Sequence, residues 1–280
     1  AVAIQVAYDN TCTTDNRTIT LSISTNPGGA ALNGTASLLS VDGVATWTAG
    51  EDLRINTAAT GYKLRATGSG AFATSDNVDS NAFNIAAITT LSGFTVAPSA
   101  NPVIVNNPIT LTITARDVYD NPIPNYVTSQ VVNLTSTTAG DGTTIDWDNG
   151  PASLTDHLDG TADLAVGTTF DADGEIALDI TNRRAESLTV TADDAVTPAT
   201  GTSAAMEWDP WFPLLLHIMP PGTPIAGVPF NVDIYVTDQF ENLANVTQDC
   251  DIRLRLSAGT GVLGGTIDGT ITTGTSSTTI

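Results

Sequence analysis

Apolar and polar residues alternate with a period of two along several short stretches of the chain. Residues 110–115 read T-L-T-I-T-A, and residues 19–23 and 232–237 alternate in the same way. A period of two is typical of a β-strand with one buried face. Residues with high helix propensity, such as Glu, Lys and Gln, are scarce, while Thr, Val and Ile are abundant. The pattern therefore predicts an all-β protein.

One five-residue segment recurs three times, each time after such a strand. It reads VAYDN at 6–10, DVYDN at 117–121 and DQFEN at 238–242, and we call it the marker turn. Its final Asn residues lie 111 and 121 positions apart, a usual length for one β-sandwich domain. Further segments correspond between the first two copies: 42–45 with 159–162, 62–66 with 188–192, and 80–85 with 203–208. Short strands at regular spacing predict Greek-key sandwiches.

These segments resemble the bacterial immunoglobulin-like repeats of the invasin/intimin type (Big repeats). The features that carry the resemblance are Pro108-Ile109, Pro229-Phe230, the three marker turns, G-Y-K-L-R-A-T at 61–67 and S-N-A-F-N-I at 80–85. The resemblance implies tandem immunoglobulin-like sandwiches in a linear array within a large surface protein. It implies little about function, because such modules are mostly spacers.

The predicted array has three copies, at residues 1–88, 89–208 and 209–280. Counted from these boundaries, copies two and three have 32 and 33 residues ahead of the marker Asn, whereas copy one has nine. We therefore expect copy one to lack its first strand and copy three to be truncated on its C-terminal side. Two interpretations stay open: a fragment of a longer repeat array, or a subunit that shares a strand with a neighbouring copy of itself.

Composition narrows the classes of partner. The chain has 30 acidic and 9 basic residues, a formal net charge of −21, and no apolar run long enough to span a membrane. Without a cationic surface it is not expected to bind nucleic acid, and we expect no membrane insertion in this segment. Cys12 and Cys250 fall in different copies and are expected to be free thiols. An extracellular, cell-surface location fits the resemblance.

Paired carboxylates are the candidate metal ligands. Two acidic segments, at 171–175 and 146–148, resemble the first residues of a calcium-binding loop with oxygen ligands. The five candidate ligands are Asp171, Asp173, Glu175, Asp146 and Asp148. The twelfth positions of the two loops are Asn182 and His157 and do not supply the Glu that an EF-hand needs. Solvated turns and calcium bound between domains both remain open, and no other cofactor is expected.

Aromatic residues mark the joint between copies two and three. Trp208, Trp211 and Phe212 lie among prolines there. They are predicted to pack in the interdomain contact, with the prolines stiffening the link. The alternative is that they stack on sugar rings, a role that Trp147 could share.

No catalytic constellation stands out. His157 and His217 are the only histidines, and neither has catalytic or metal-ligand spacing. The chain is therefore interpreted as a non-enzymatic stalk or filament whose partners are neighbouring copies of itself. The alternative is an adhesin that binds glycans or proteins through loops such as 137–160 or through aromatic sites. A third hypothesis, an accessory segment of a secreted enzyme, requires a catalytic domain elsewhere.

Overall fold

The computed structural model describes residues 1–6, 8–70, 77–140, 142–196, 198–219 and 221–280. Within these ranges the regular structure is 24 β-strands and one short 3-10 helix, Ala49–Glu51. The prediction of an all-β protein is confirmed. No helix in the described ranges is long and apolar enough to cross a membrane.

The chain groups into two compact units. Unit 1 comprises Ala1–Ser92 and Ala115–Pro124, and unit 2 comprises Gly93–Thr114 and Asn125–Ile280. The second marker turn thus belongs to the same unit as copy one, and the third marker turn belongs to the same unit as copy two.

Unit 1 contains a sheet of order β3-β2-β5-β6, with β7 paired to β5, and a second pair, β1-β4. Its strands are β1 Val2–Ala3, β2 Thr18–Thr25, β3 Ser37–Leu39, β4 Val44–Ala45, β5 Ala59–Gly68, β6 Asn77–Asp79 and β7 Phe83–Ile85. The buried core residues are Ile4, Ile19, Leu21, Ala45 and Ala66. The alternation predicted for 19–23 is confirmed, since Ile19 and Leu21 face this core.

Copy two is a sandwich of two main sheets, ordered β12-β15-β10-β8 and β13-β14-β11-β17-β18, with a smaller sheet β16-β19-β9. The strands are β8 Gly93–Pro98, β9 Val103–Ile104, β10 Pro108–Arg116, β11 Val132–Ser136, β12 Ile145–Asp148, β13 Leu154–Asp156, β14 Thr161–Leu164, β15 Glu175–Asn182, β16 Ser187–Leu188, β17 Val190–Asp194, β18 Thr200–Thr202 and β19 Met206–Asp209. Both main sheets turn alternate side chains inward, as Leu111 in β10 and Leu134 in β11 show. This is the immunoglobulin-like sandwich that the sequence predicts.

Copy three forms two smaller sheets, β20-β21-β24 and β22-β23. Its strands are β20 Leu215–Met219, β21 Asp233–Thr237, β22 Cys250–Arg253, β23 Asp268–Ile271 and β24 Ser277–Thr279. Val232, Ile234 and Val236 are buried, as the alternation of 232–237 predicts.

Residues 137–160 are predicted to be loop, as the place where an adhesin would bind, and the prediction of loop structure is wrong in part. Two strands, Ile145–Asp148 and Leu154–Asp156, occupy the stretch. Ile145 and Trp147 alternate with Asp146 and Asp148, which is a strand pattern of period two. Asp146 and Asp148 suggest a solvated turn in the sequence, whereas in the structure they form the polar face of β12.

We expect Leu111→Ala to lower the free energy of unfolding by about 2–5 kcal/mol, because Leu111 is fully buried and the change leaves a cavity. Urea denaturation followed by circular dichroism measures the loss. Thr112→Ser, on the opposite face of the same strand, is the matched control and should change the value by less than about 1 kcal/mol. Equal losses in the two variants would contradict the assignment of faces.

Candidate functional site: the marker turn and the loop it holds

The three marker turns share the same closing hydrogen bonds and the same left-handed fourth position. The N–H of the first residue donates to the C=O of the last, at 2.9 Å for Val6 and Asn10, 3.0 Å for Asp117 and Asn121, and 2.9 Å for Asp238 and Asn242. The fourth residue has a positive φ, at 62°, 65° and 67° respectively, and its N–H donates back to the C=O of the first. The second residue of the first turn, Ala7, lies outside the described residues. A closed turn with a left-handed fourth position thus recurs.

An aspartate at the first position organises two of the turns. One carboxylate oxygen of Asp117, Oδ1, accepts the N–H groups of Tyr119 at 2.8 Å and of Asn121 at 2.9 Å. Asp238 does the same for Phe240 at 2.8 Å and Asn242 at 3.0 Å. These are Asx-turn hydrogen bonds, which a short acidic side chain forms with its own backbone.

The asparagine of the second turn holds a loop that lies about 60 positions earlier in the chain. Nδ2 of Asn121 donates to the C=O of Asn56 at 2.8 Å, and Oδ1 accepts the N–H of Ala58 at 2.7 Å. The second N–H of Nδ2 points to the carboxylate of Asp117, at 3.0 Å from Oδ2. The side-chain amide is only 5% exposed and uses both its donor and its acceptor atoms.

The third turn repeats this arrangement within unit 2. Nδ2 of Asn242 donates to the C=O of Arg183 at 2.9 Å, and Oδ1 accepts the N–H of Ala185 at 2.8 Å. In both cases an amide side chain pairs with the backbone of a three-residue segment, in the manner of a β-bridge. We call 56–58 and 183–185 the held loops.

The second oxygen of each aspartate secures the segment that links two copies. Oδ2 of Asp117 accepts the N–H of Ile88 at 2.9 Å, and Oδ2 of Asp238 accepts the N–H of Trp211 at 3.0 Å. Each Asp–Asn pair therefore fixes its own turn, a held loop and a linker residue. Its hydrogen bonds use backbone groups of the held loop and the linker, so they do not depend on which side chains stand there.

The electrostatics of Asp117 favour its ionised form. Burial alone would raise the pKa of this carboxyl group, which is 3% exposed. Hydrogen bonds from the Asn121 side chain and from the N–H groups of Asn121, Ile88 and Tyr119 outweigh burial, and the pKa lies below its ordinary value. The turn thus holds a buried carboxylate with its negative charge intact.

The held loop of unit 1 is supported by a buried tyrosine. The hydroxyl of Tyr62 donates to the C=O of Thr57 at 2.9 Å, and the side chain is fully buried. A Cβ on Gly28 would lie 2.3 Å from this hydroxyl oxygen, so the glycine is needed for the close approach.

The held loop of unit 2 is supported instead by a carboxylate. Glu186 accepts hydrogen bonds from Thr138 Oγ1 at 2.6 Å, from the N–H of Ala139 at 2.9 Å and from Asn182 Nδ2 at 2.9 Å. Burial opposes its ionisation, yet these hydrogen bonds and the nearby Arg184 lower its pKa. The two held loops therefore have different supports and present the same C=O and N–H groups.

No protein-family model and no curated protein matches the chain. Among solved structures it is similar to the D0–D1 domain of intimin, at 17% identity over 70% of this chain and 83% of that one, with a TM-score of 0.29. It is also similar to invasin, a bacterial integrin-binding protein (13% identity, 99% and 51% coverage, TM-score 0.31). A β-glycosidase from Bacteroides vulgatus is similar as well, at 11% identity over 68% of this chain and 21% of that one, with a TM-score of 0.31.

The fold is immunoglobulin-like. Intimin and invasin are bacterial immunoglobulin-like proteins of the group that the sequence pattern resembles. With TM-scores of about 0.3, these similarities assign no activity to the chain.

The first group of predicted calcium ligands lies in a tight turn before β15. Oδ1 of Asp171 accepts the N–H groups of Asp173 at 2.9 Å and of Glu175 at 2.8 Å, so this oxygen already has two donors. Glu175 reaches the hydroxyl of Thr114 at 3.4 Å. The Asp171 carboxylate thus organises its own turn, as that of Asp117 does.

The second group lies on the polar face of β12. Asp146 is 3.8 Å from Nη2 of Arg183, and Asp148 accepts the N–H of Asn149 at 2.7 Å. In the described part of the chain, no three His, Cys, Asp or Glu side chains come together as a metal-binding group. Calcium binding stays a prediction.

The three aromatic residues predicted at the second joint have different environments. Trp208 is 2% exposed in β19, and its Nε1 donates to the C=O of Asn107 at 3.2 Å. Trp211 and Phe212 form an edge-to-face pair with ring centroids 5.1 Å apart and are 43% and 53% exposed. Trp147 is 5% exposed, so its ring is not available for stacking on a sugar. Packing of the three aromatics between domains stays a prediction.

The remaining candidates have local partners. His157 pairs with Asp163 at 2.9 Å, while His217 stacks on Tyr235 and lies 2.8 Å from Thr237 Oγ1. Cys12 and Cys250 are half-buried free thiols, as expected. The marker turn is evident in the sequence as a repeat, whereas the loop that its Asn holds is not. The recurring Asp and Asn, four residues apart, are the signal that could have shown it.

We expect Asn121→Ala to raise the hydrogen-exchange rate of the Ala58 amide about tenfold or more, because the change leaves a hydrogen-bonded C=O and N–H without their partner. Asn242→Ala should do the same to Ala185 and leave Ala58 unchanged. Amide exchange followed by NMR reads both sites, and each variant is the control for the other. Equal effects of one variant at both sites would contradict a local hold.

The pKa of Asp117 predicts a stability that depends on acid. A carboxyl group whose pKa is lowered by folding stabilises the protein fully above its unfolded pKa of about 3.9, and this contribution is lost as the pH falls through the lower folded value. We expect Asp117→Asn to be less stable than the wild type at pH 6 and the difference to shrink below about pH 4. Urea unfolding between about pH 2.5 and 6 measures it.

The control is Asp120→Asn, because the Asp120 side chain is 81% exposed. It should differ little from the wild type throughout the range. A gap between Asp117→Asn and the wild type that stays constant with pH would rule out the lowered pKa as its cause.

Proposed function

We propose that the chain is part of an extracellular structural protein, a stalk or filament of tandem immunoglobulin-like modules on a microbial cell surface. The observation that carries the proposal is the marker turn, which twice holds a loop of the copy before it and a residue next to the boundary between the two copies. A module that folds and acts independently of its neighbours would not require the same contact at two successive joints.

The hold suits a load-bearing array because it restricts the linker. At each joint the Asn amide makes two hydrogen bonds to the held loop, and the Asp makes one to the linker. Each such bond contributes about 0.5–1.5 kcal/mol, and more where a carboxylate accepts. Three bonds that must break together resist bending and twisting better than a bare linker, so the array keeps its reach.

Charge supports an extracellular role for an array. The net charge of −21 keeps neighbouring chains apart and soluble at low salt, since like charges repel over about a Debye length. Seven of the basic residues lie within 4.0 Å of a carboxylate, so most of the positive charge is locally neutralised: Arg17, Arg54, Arg65, Arg116, Arg183, Arg184 and Arg253.

An adhesin that binds glycans or proteins is the second candidate. The exposed edge-to-face pair of Trp211 and Phe212 favours it, because flat aromatic faces stack on sugar rings and anchor protein partners. A glycan array or cell-binding assay with Trp211→Ala tests this candidate, and Trp147→Ala is expected to affect folding instead, since Trp147 is buried.

Small-angle X-ray scattering tests the stalk. A compact globule of 280 residues would have a radius of gyration of about 19 Å. We expect the purified chain to have a clearly larger radius of gyration and an elongated form. The double variant, Asn121→Ala with Asn242→Ala, should have a broader distribution of interatomic distances. A radius near the globular value, with no change in the double variant, would contradict the proposal.

A further inference from the structure

The first marker turn is closed by the same hydrogen bonds as the other two, but it holds no loop among the described residues. Its closing hydrogen bonds and left-handed Asp9 match those of the second and third turns. The bridge that follows the turn also recurs, as Gln5 with Thr11, Arg116 with Pro122 and Thr237 with Leu243. The side chain of Asn10 is exposed and, in the described part of the protein, has no hydrogen-bond partner. An organised turn therefore presents an unused amide.

The aromatic third position reports whether a turn is covered. Phe240 is half-buried and Tyr119 is 46% exposed, and both belong to turns that hold a loop. Tyr8, in the turn that holds none among the described residues, is 87% exposed. A largely exposed tyrosine, beside an amide that has no partner among the described residues, suits a contact surface, because Tyr is enriched at protein interfaces.

We infer that residues 6 and 8–10 form a docking surface for the three-residue loop of another immunoglobulin-like repeat. This inference rests on the proposed function. Nδ2 of Asn10 would donate to a backbone carbonyl of that loop, and Oδ1 would accept the N–H two residues further on, as Asn121 and Asn242 do. The partner is recognised by its backbone, so its loop needs no particular side chains.

The partner loop must not already be held. Both held loops of this protein are occupied by Asn121 and Asn242, so a second copy offers no free loop of this kind among its described residues. The partner is a repeat whose corresponding loop is open.

Val6 makes this surface weaker than the other two. It stands where Asp117 and Asp238 accept the linker N–H and orient the turn. A docked repeat would therefore be fixed by the Asn alone, and the linker N–H would stay unpaired. Replacing Val6 with an acid should restore the missing acceptor.

Two extended proteins test the inference, each with part of the same sequence added ahead of Ala1. In the first protein, residues 1–232 are added. Asn10 then follows the added Ala185 by 57 residues, which is also the separation between Ala185 and Asn242. Adding residues 1–111 sets it 63 residues after the added Ala58, the separation that Asn121 has from Ala58. The added stretch is isotope-labelled and joined by ligation, so NMR reads its amides alone.

In each extended protein we expect Asn10→Ala to speed amide exchange of the added Ala185 or Ala58 about tenfold, and Val6→Asp to slow it by a similar factor. Asn10→Ala in the unextended protein is the control and should change no amide outside its own turn. The spectrum of each labelled stretch shows that it has folded, and the use of two extensions guards against one that does not.

Unchanged exchange in both folded extended proteins, while Asn121→Ala and Asn242→Ala still act on their own loops, would overturn the docking surface and leave the proposed function standing. If those two variants also have no effect, the hold itself fails, and the proposed function fails with it.

Discussion

A side-chain amide that pairs with the backbone of another loop is the interaction on which the joints of this protein depend. Asn121 and Asn242 each replace what would be a strand partner, giving one donor and one acceptor to groups two residues apart. Because an amide offers both, a single residue satisfies a C=O and an N–H that would otherwise lose solvent without compensation. The aspartate four residues earlier keeps that amide in place and binds the linker as well.

The same design explains why these turns combine burial with charge. An ionised carboxylate loses hydration when it is buried, and it stays ionised only if several donors face it. Asp117 has such donors from its own turn and from Ile88. The network is complete only when turn and linker are both in position, so assembly of the joint and ionisation of the acid are coupled.

Much of the fold follows from the pattern of residues, and the joints do not. The period of two around Leu111 and Ile234 predicts their strands, and the spacing of the marker Asn residues gives the length of a copy. The hold escaped prediction because its partners are backbone groups of unlike sequences, Asn-Thr-Ala in one loop and Arg-Arg-Ala in the other. The burial of Trp147 escaped prediction for a different reason. Its acidic neighbours suggest a solvated turn, although the local alternation of polar and apolar residues fits a strand.

Backbone recognition has a consequence for how such proteins change over generations. A held loop contributes only a backbone carbonyl and a backbone N–H, so almost any three residues can form its side of the contact. The side that requires particular residues is the following marker turn. Gene duplication or exchange can then place one module after another without the two faces having to adapt to each other. We therefore expect substitutions to be tolerated more readily in the held loops than at the aspartate and asparagine of the second and third turns.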